Sequence, residues 1–127
     1  MISIEEMETM LDEIAEELPQ DFYKDLNGGI ILLPEAKLHK KSRSNDLYIM
    51  GEYNRSSSMG RYICIYYGSF VALYGNLSNE KLKEQLSKTL KHEFTHHLES
   101  LGGERGLEIE DERNMEKYMR RKPGPSR

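Results

Sequence analysis

Hydrophobic residues that recur every three or four positions predict a first helix over residues 3–18. They are Ile4, Met7, Leu11, Ile14 and Leu18. Ser3 and Glu6 have the spacing of a capping box, which begins a helix. Pro19 ends this helix or begins a shorter one over residues 20–26. Seven acidic residues occupy most of the other positions, so we expect a solvated face, with a partner-binding acidic patch as the alternative.

Short apolar runs in the middle of the chain predict β-strands. Residues 30–33 form a continuous apolar run, and residues 47–53 form the next strand candidate. Residues 61–67 are rich in β-branched and aromatic side chains, and residues 70–74 continue as strand or extended chain. Three or four strands therefore precede the last long helix.

That helix is predicted from residue 80 onward, because the sequence there lacks Gly and Pro up to Gly102-Gly103. Asn76, Ser78 or Asn79 can cap its start. An apolar stripe runs along it, formed by Leu82, Leu86, Leu90, Phe94, Leu98 and Leu101. After a glycine-containing loop, a last helix is expected over about residues 111–121, followed by a frayed basic tail over 122–127. The prediction is one α+β domain over residues 1–121, with a small, mostly antiparallel or mixed sheet.

The composition fits a domain of this kind. Of the 127 residues, 37% are hydrophobic, and the net charge of −4 gives no reason to expect a nucleic-acid partner. The one cysteine, Cys64, excludes an intrachain disulfide and is most simply a small buried hydrophobe. No run is long and apolar enough for a bilayer, and no signal peptide is visible, so we expect a cytoplasmic protein without a membrane partner. Nothing in the pattern defines an oligomeric state.

The strongest chemical signal is His92-Glu93-Phe94-Thr95-His96, which reads H-E-x-x-H. On a helix, His92 and His96 stand one turn apart and can bind one metal ion. Glu93 can then act on a water molecule as general base, so the spacing is that of a zinc hydrolase. At roughly 100° per residue, the histidines lie far from the centre of the apolar stripe, so they can face a cleft. The alternative is a surface helix with two incidental histidines.

A hydrolytic zinc ion needs three protein ligands and an open position. Downstream carboxylates provide the candidates for the third ligand, and spacing alone does not choose between them. They are Glu99, Glu104, Glu108, Glu110, Asp111 and Glu112. His97 points roughly 100° away from His96, so packing or support of the metal ligands is the role expected for it.

These features together resemble the minimal zincins, small bacterial zincin-like metallopeptidases. The resemblance covers most of the chain: an acidic N-terminal amphipathic helix, a β-rich middle, the motif with its doubled histidine, and Asp111-Glu112-Arg113. It implies zinc held by His92, His96 and Asp111, with Glu93 as base. The family pattern is H-E-x-x-H-x-x-G-x-x-D. Here Glu99 replaces its glycine and Gly102 its aspartate, so Glu99, Glu104 and Glu108 stay open as third ligands.

The function expected on these grounds is zinc-dependent hydrolysis of a peptide or protein substrate. An edge strand within residues 61–74 would hold the peptide by strand addition. Tyr118, Arg113 and His97 are candidate donors to the oxyanion. The alternatives are a metal-binding module without activity and a protein-interaction module that uses the acidic first helix.

Overall fold

The computed structural model describes residues 1–41 and 47–102, and within these ranges the fold is α+β. The helices are α1, Ile4–Glu17, α2, Tyr67–Tyr74, and α3, Asn79–Gly102, with a short 3₁₀ helix at Gln20–Tyr23. The strands are β1, Gly29–Leu33, β2, Lys37–Leu38, β3, Tyr48–Ile49, β4, Gly51–Ser56, and β5, Gly60–Tyr66. The predicted last helix and tail lie outside the described residues.

Strand β5 is the centre of a three-stranded mixed sheet. It pairs in parallel with β1, where Gly29 lies opposite Tyr62 and Leu33 opposite Tyr66. It pairs antiparallel with β4, where Gly51 lies opposite Ile65. Strands β2 and β3 form a separate antiparallel pair. Strand β4 therefore lies at one edge of the three-stranded sheet.

Helices α1 and α3 supply most of the core that covers one face of this sheet. Ser3 caps α1 through the predicted capping box with Glu6. In α3, the whole predicted apolar stripe is buried, and the Ser78 hydroxyl accepts from the Lys81 N–H at the helix start. Each such leucine removed from water contributes about 1.5–3 kcal/mol. Burial of the stripe fixes the rotation of α3 and leaves the two motif histidines exposed.

Two predictions about the β-rich middle were wrong. Residues 70–74 belong to helix α2, although their aromatic and β-branched side chains favour a strand. The chain turns at Gly68, whose N–H donates to the Glu35 carbonyl, and a Cβ there would lie 2.5 Å from the Ala36 nitrogen. Residues 61–66 belong to the central strand, which has neighbours on both sides, so residues 61–74 contain no edge strand of this sheet. The edge strands of the three-stranded sheet are β1 and β4.

Two further elements differ from the prediction in their bounds. The helix expected over residues 20–26 ends after one 3₁₀ turn, and Asp25 then adopts a left-handed conformation, with φ of 62°. The strand expected over residues 47–53 is divided at Met50, whose carbonyl accepts from the Tyr66 N–H. Across the described ranges, none of the helices combines the length and apolar character required to cross a bilayer.

Candidate metal centre

The two motif histidines converge on one point at the surface of α3. Both side chains are exposed, and their Nε2 atoms lie 3.1 Å apart. The ring planes are nearly perpendicular, with centroids 4.6 Å apart. The helical spacing of four residues produces this approach, because it stacks the two side chains one turn apart.

The distance between these nitrogen atoms fits a shared zinc ion. Two nitrogen ligands about 2.0–2.1 Å from zinc at a tetrahedral angle lie about 3.3 Å apart. The observed 3.1 Å separation is within a few tenths of an ångström of that value. The same distance allows one ring to donate a hydrogen bond to the other, and metal analysis distinguishes these two states.

Glu93 lies between the two histidines in sequence and lines the same cleft. Only 6% of this residue is exposed. Burial raises the pKa of its carboxyl group, and the charge of Glu52 acts in the same direction, whereas His96 acts to lower it. A carboxylate with a raised pKa accepts a proton more readily near neutral pH, which is the requirement for a general base.

The cleft in front of these residues runs between α3 and β4. Its larger part, about 730 Å³, is lined by four consecutive β4 residues, Gly51 to Asn54, and by His92, Glu93 and His96. Because side chains alternate between the two faces of a strand, four consecutive lining residues mean that the strand edge itself borders the cleft. A second part of about 530 Å³ continues past His92 and Glu93 toward the start of α3.

His97 faces away from this cleft and is fully buried. Its Nε2 atom lies 2.8 Å from the Lys24 carbonyl oxygen, and its Nδ1 atom lies 2.8 Å from the Tyr53 hydroxyl. Burial lowers the pKa of His97, which favours the neutral ring. A carbonyl oxygen only accepts, so Nε2 carries the proton and Tyr53 donates to Nδ1. The packing role predicted for His97 thus has a specific form: it connects α3 with β4 and with the segment after α1.

Glu99 lies on the other side of the His96 ring. Its Oε1 atom is 3.6 Å from the Nδ1 atom of His96, whereas Nε2 of His96 faces His92. The Glu99 carboxylate therefore lies beside Nδ1 of His96 and not beside the two converging Nε2 atoms. No group of three potential metal-binding side chains occurs among residues 1–41 and 47–102. Asp111, Glu104 and Glu108 lie outside these ranges, as do Arg113 and Tyr118, the other proposed oxyanion donors.

Sequence reasoning did not single out Tyr53 or a charged cluster beside it. In this cluster, Lys37 forms a salt bridge of 2.9 Å with Glu52, and the Tyr66 hydroxyl donates to Glu52 at 2.7 Å. The burial of Glu52 acts to raise the pKa of its carboxyl group, but the hydrogen bonds from Lys37 and Tyr66 lower it overall. These contacts join residues far apart in the chain, so no local spacing indicates them.

Cys64, on the same face of the sheet, is buried as predicted, and burial raises the pKa of its thiol.

Comparison with family models and with curated proteins finds no match. Among solved structures, a conserved hypothetical protein from Thermus thermophilus is similar, with a TM-score of 0.68. The two sequences are 31% identical over 81% of this chain and 100% of that protein. The two proteins therefore share the α+β fold. At this identity over the whole of that protein, the chain belongs to the same family, and the name of its relative gives no activity.

Proposed function

We propose that this protein is a zinc-dependent metallopeptidase of the minimal zincin type. The observation that supports this most directly is the 3.1 Å approach of the His92 and His96 Nε2 atoms, with Glu93 lining the same cleft. In the proposal, His92 and His96 hold zinc together with Asp111 as third ligand. Zinc, when bound, lowers the pKa of a water molecule and polarises a carbonyl group.

Glu93 is the general base of this proposal. Its carboxylate takes a proton from the attacking water and delivers it to the amine that leaves when the peptide bond breaks. Glu93 lines the cleft but is largely buried. Burial raises the pKa of its carboxyl group, so the carboxylate is a better proton acceptor than that of an exposed glutamate. Because Glu93 and the two histidines lie on the same helix, the general base and the proposed metal ligands keep a fixed relative position.

The substrate class follows from the strand edge that borders the cleft. Strand β4 pairs with β5 on one side, and within the described ranges no strand pairs with its other side. An extended peptide can add to such an edge through main-chain hydrogen bonds. We therefore propose an unfolded or extended protein segment as substrate. Cys64 is a buried free thiol, which is consistent with a reducing compartment such as the cytoplasm.

Replacing Glu93 with glutamine tests the proposed activity. The amide cannot accept the proton, so peptide hydrolysis should fall by about 10²–10⁴-fold while zinc binding remains. A matched control is Glu84→Gln, which makes the same change at an exposed position nine residues earlier on α3. If the Glu93→Gln protein equals wild type in every hydrolysis assay, the catalytic proposal is wrong and a metal-binding module without activity takes its place.

A further inference from the structure

The smaller part of the cleft has a chemical character of its own. It lies at the N-terminal side of the metal centre and is lined by Ile49, Met50, Tyr74, Gln85 and Lys88, together with residues of the centre itself. Lys88 precedes His92 by four residues, so both side chains project from the same face of α3. Along the helix axis they are about 6 Å apart. The cavity thus combines an apolar wall with one cation beside the proposed reacting centre.

The ammonium group of Lys88 is available to a ligand. Its side chain is exposed, and within residues 1–41 and 47–102 it forms no ion pair or hydrogen bond. The larger part of the cleft contains the exposed carboxylate of Glu99 instead. The two ends of the cleft therefore differ in charge, which favours one orientation of a charged substrate.

The packing of α3 against β4 defines which part of a peptide would reach this cavity. Gly51 lies beside Thr89, and Tyr53 contacts His97, so the strand and the helix run in the same direction. A peptide added to β4 in the more stable antiparallel arrangement runs the opposite way. Its N-terminal part then lies over the larger cavity, and the part after the scissile bond lies over Lys88. A distance of about 6 Å spans nearly two residues of an extended peptide.

We infer that Lys88 forms a subsite for a carboxylate on the C-terminal side of the scissile bond. The carboxylate belongs either to an Asp or Glu side chain at the first or second residue after that bond, or to the C-terminus of the peptide. Ile49 and Met50 contact the aliphatic part of such a residue, and the ammonium group pairs with its charge. This inference rests on the proposed peptidase function and adds the class of substrate that the enzyme selects.

Cleavage of a degenerate peptide library by the full zinc-loaded chain tests the subsite. The library is acetylated at the N-terminus and prepared both as free acids and as amides, and mass spectrometry identifies the cleaved bonds. Wild type should enrich Asp and Glu after the scissile bond about two- to fivefold, the range expected for an exposed ion pair. If Lys88 binds the C-terminal carboxylate instead, short C-terminal fragments should be released preferentially from the free-acid peptides and not from the amides.

The Lys88→Glu variant should reverse this preference toward Lys and Arg. Lys81→Glu is the matched control, since it makes the same charge change two turns earlier on α3, outside the cavity. It should keep the wild-type profile. Cleavage without acidic enrichment, or an unchanged profile in Lys88→Glu, overturns the subsite and leaves the peptidase function standing. A zinc-loaded wild type that cleaves no peptide refutes the peptidase function, and the subsite with it.

Discussion

The Tyr53 hydroxyl lies 2.8 Å from the Nδ1 atom of His97, and this hydrogen bond joins the edge strand to the helix of the metal centre. The His97 ring is also held by a second contact. The Lys24 carbonyl fixes the His97 ring, which is fully buried. The strand edge and the two motif histidines therefore keep their relative position through a partly buried polar contact between residues 44 apart in the sequence.

Replacing Tyr53 with phenylalanine should lower the free energy of unfolding by about 1–3 kcal/mol, because Nδ1 of the buried His97 loses its donor. Urea unfolding measures the change. Tyr62→Phe is the control, since the Tyr62 hydroxyl has no hydrogen-bond partner within residues 1–41 and 47–102. We expect it to change stability by less than about 0.5 kcal/mol. Equal stabilities of the two variants would contradict the role given to the Tyr53–His97 contact.

Stability should fall at alkaline pH because of Tyr66. Burial, followed by the hydrogen bond to Glu52, raises the pKa of Tyr66 to about 12. In the unfolded chain the tyrosine ionises near pH 10. Between about pH 10 and about pH 12 the unfolded state therefore holds fewer protons than the folded state, so stability declines as pH rises. Below about pH 10 this contribution is fully present.

Urea unfolding of wild type and Tyr66→Phe over this pH range tests the assignment. In the variant, the free energy of unfolding should fall less steeply above about pH 10, because it lacks the hydroxyl that loses its proton at a lower pH in the unfolded state than in the folded state. Tyr62→Phe makes the same chemical change at another position of β5. The free energy of unfolding of this control should fall with pH as steeply as that of wild type. An equally steep decline in Tyr66→Phe would exclude Tyr66 as its source.

The close contact between β4 and α3 depends on Gly51. A Cβ at this position would lie 3.0 Å from the Thr89 Cγ2 atom and 3.1 Å from the Cys64 carbonyl oxygen. Gly51→Ala should therefore cost about 1–3 kcal/mol through overpacking. Adding Thr89→Ser removes the Cγ2 methyl group, so the double variant should be more stable than the sum of the single changes predicts.

A double-mutant cycle followed by urea unfolding measures this coupling. Thr89→Ser alone provides the reference for the lost methyl group. If Gly51→Ala is neutral, or if the two changes add without coupling, the spacing between strand and helix does not depend on Gly51 in the way described.

The elements that could be predicted from the sequence are those with a local signal. Helices α1 and α3 repeat apolar residues at helical spacing, and the hydroxyls of Ser3 and Ser78 accept hydrogen bonds from their first turns, so both helices were predicted correctly. The convergence of His92 and His96 also follows from one turn of helix. Helix α2 was missed because its composition favours a strand, while the turn at Gly68 depends on the distant Glu35 backbone.

The surroundings of the metal centre could not be predicted in the same way. The Tyr53–His97 hydrogen bond and the Lys37–Glu52 salt bridge join residues that are distant in the sequence and come together only in the folded sheet. The edge position of β4 depends on strand order, which apolar runs do not encode. The third ligand, with Asp111 as the choice implied by the family resemblance, stays a prediction.

Zinc binding by the purified full chain tests the central claim most directly. After chelation and reloading, elemental analysis should find about one zinc ion per chain. His92→Ala and His96→Ala should each abolish stoichiometric binding, because each removes one of the two converging Nε2 atoms. His39→Ala, which removes a histidine from an exposed segment, should bind zinc as wild type does. A wild-type chain that binds no zinc, or a His92→Ala chain that binds it equally well, would contradict the account.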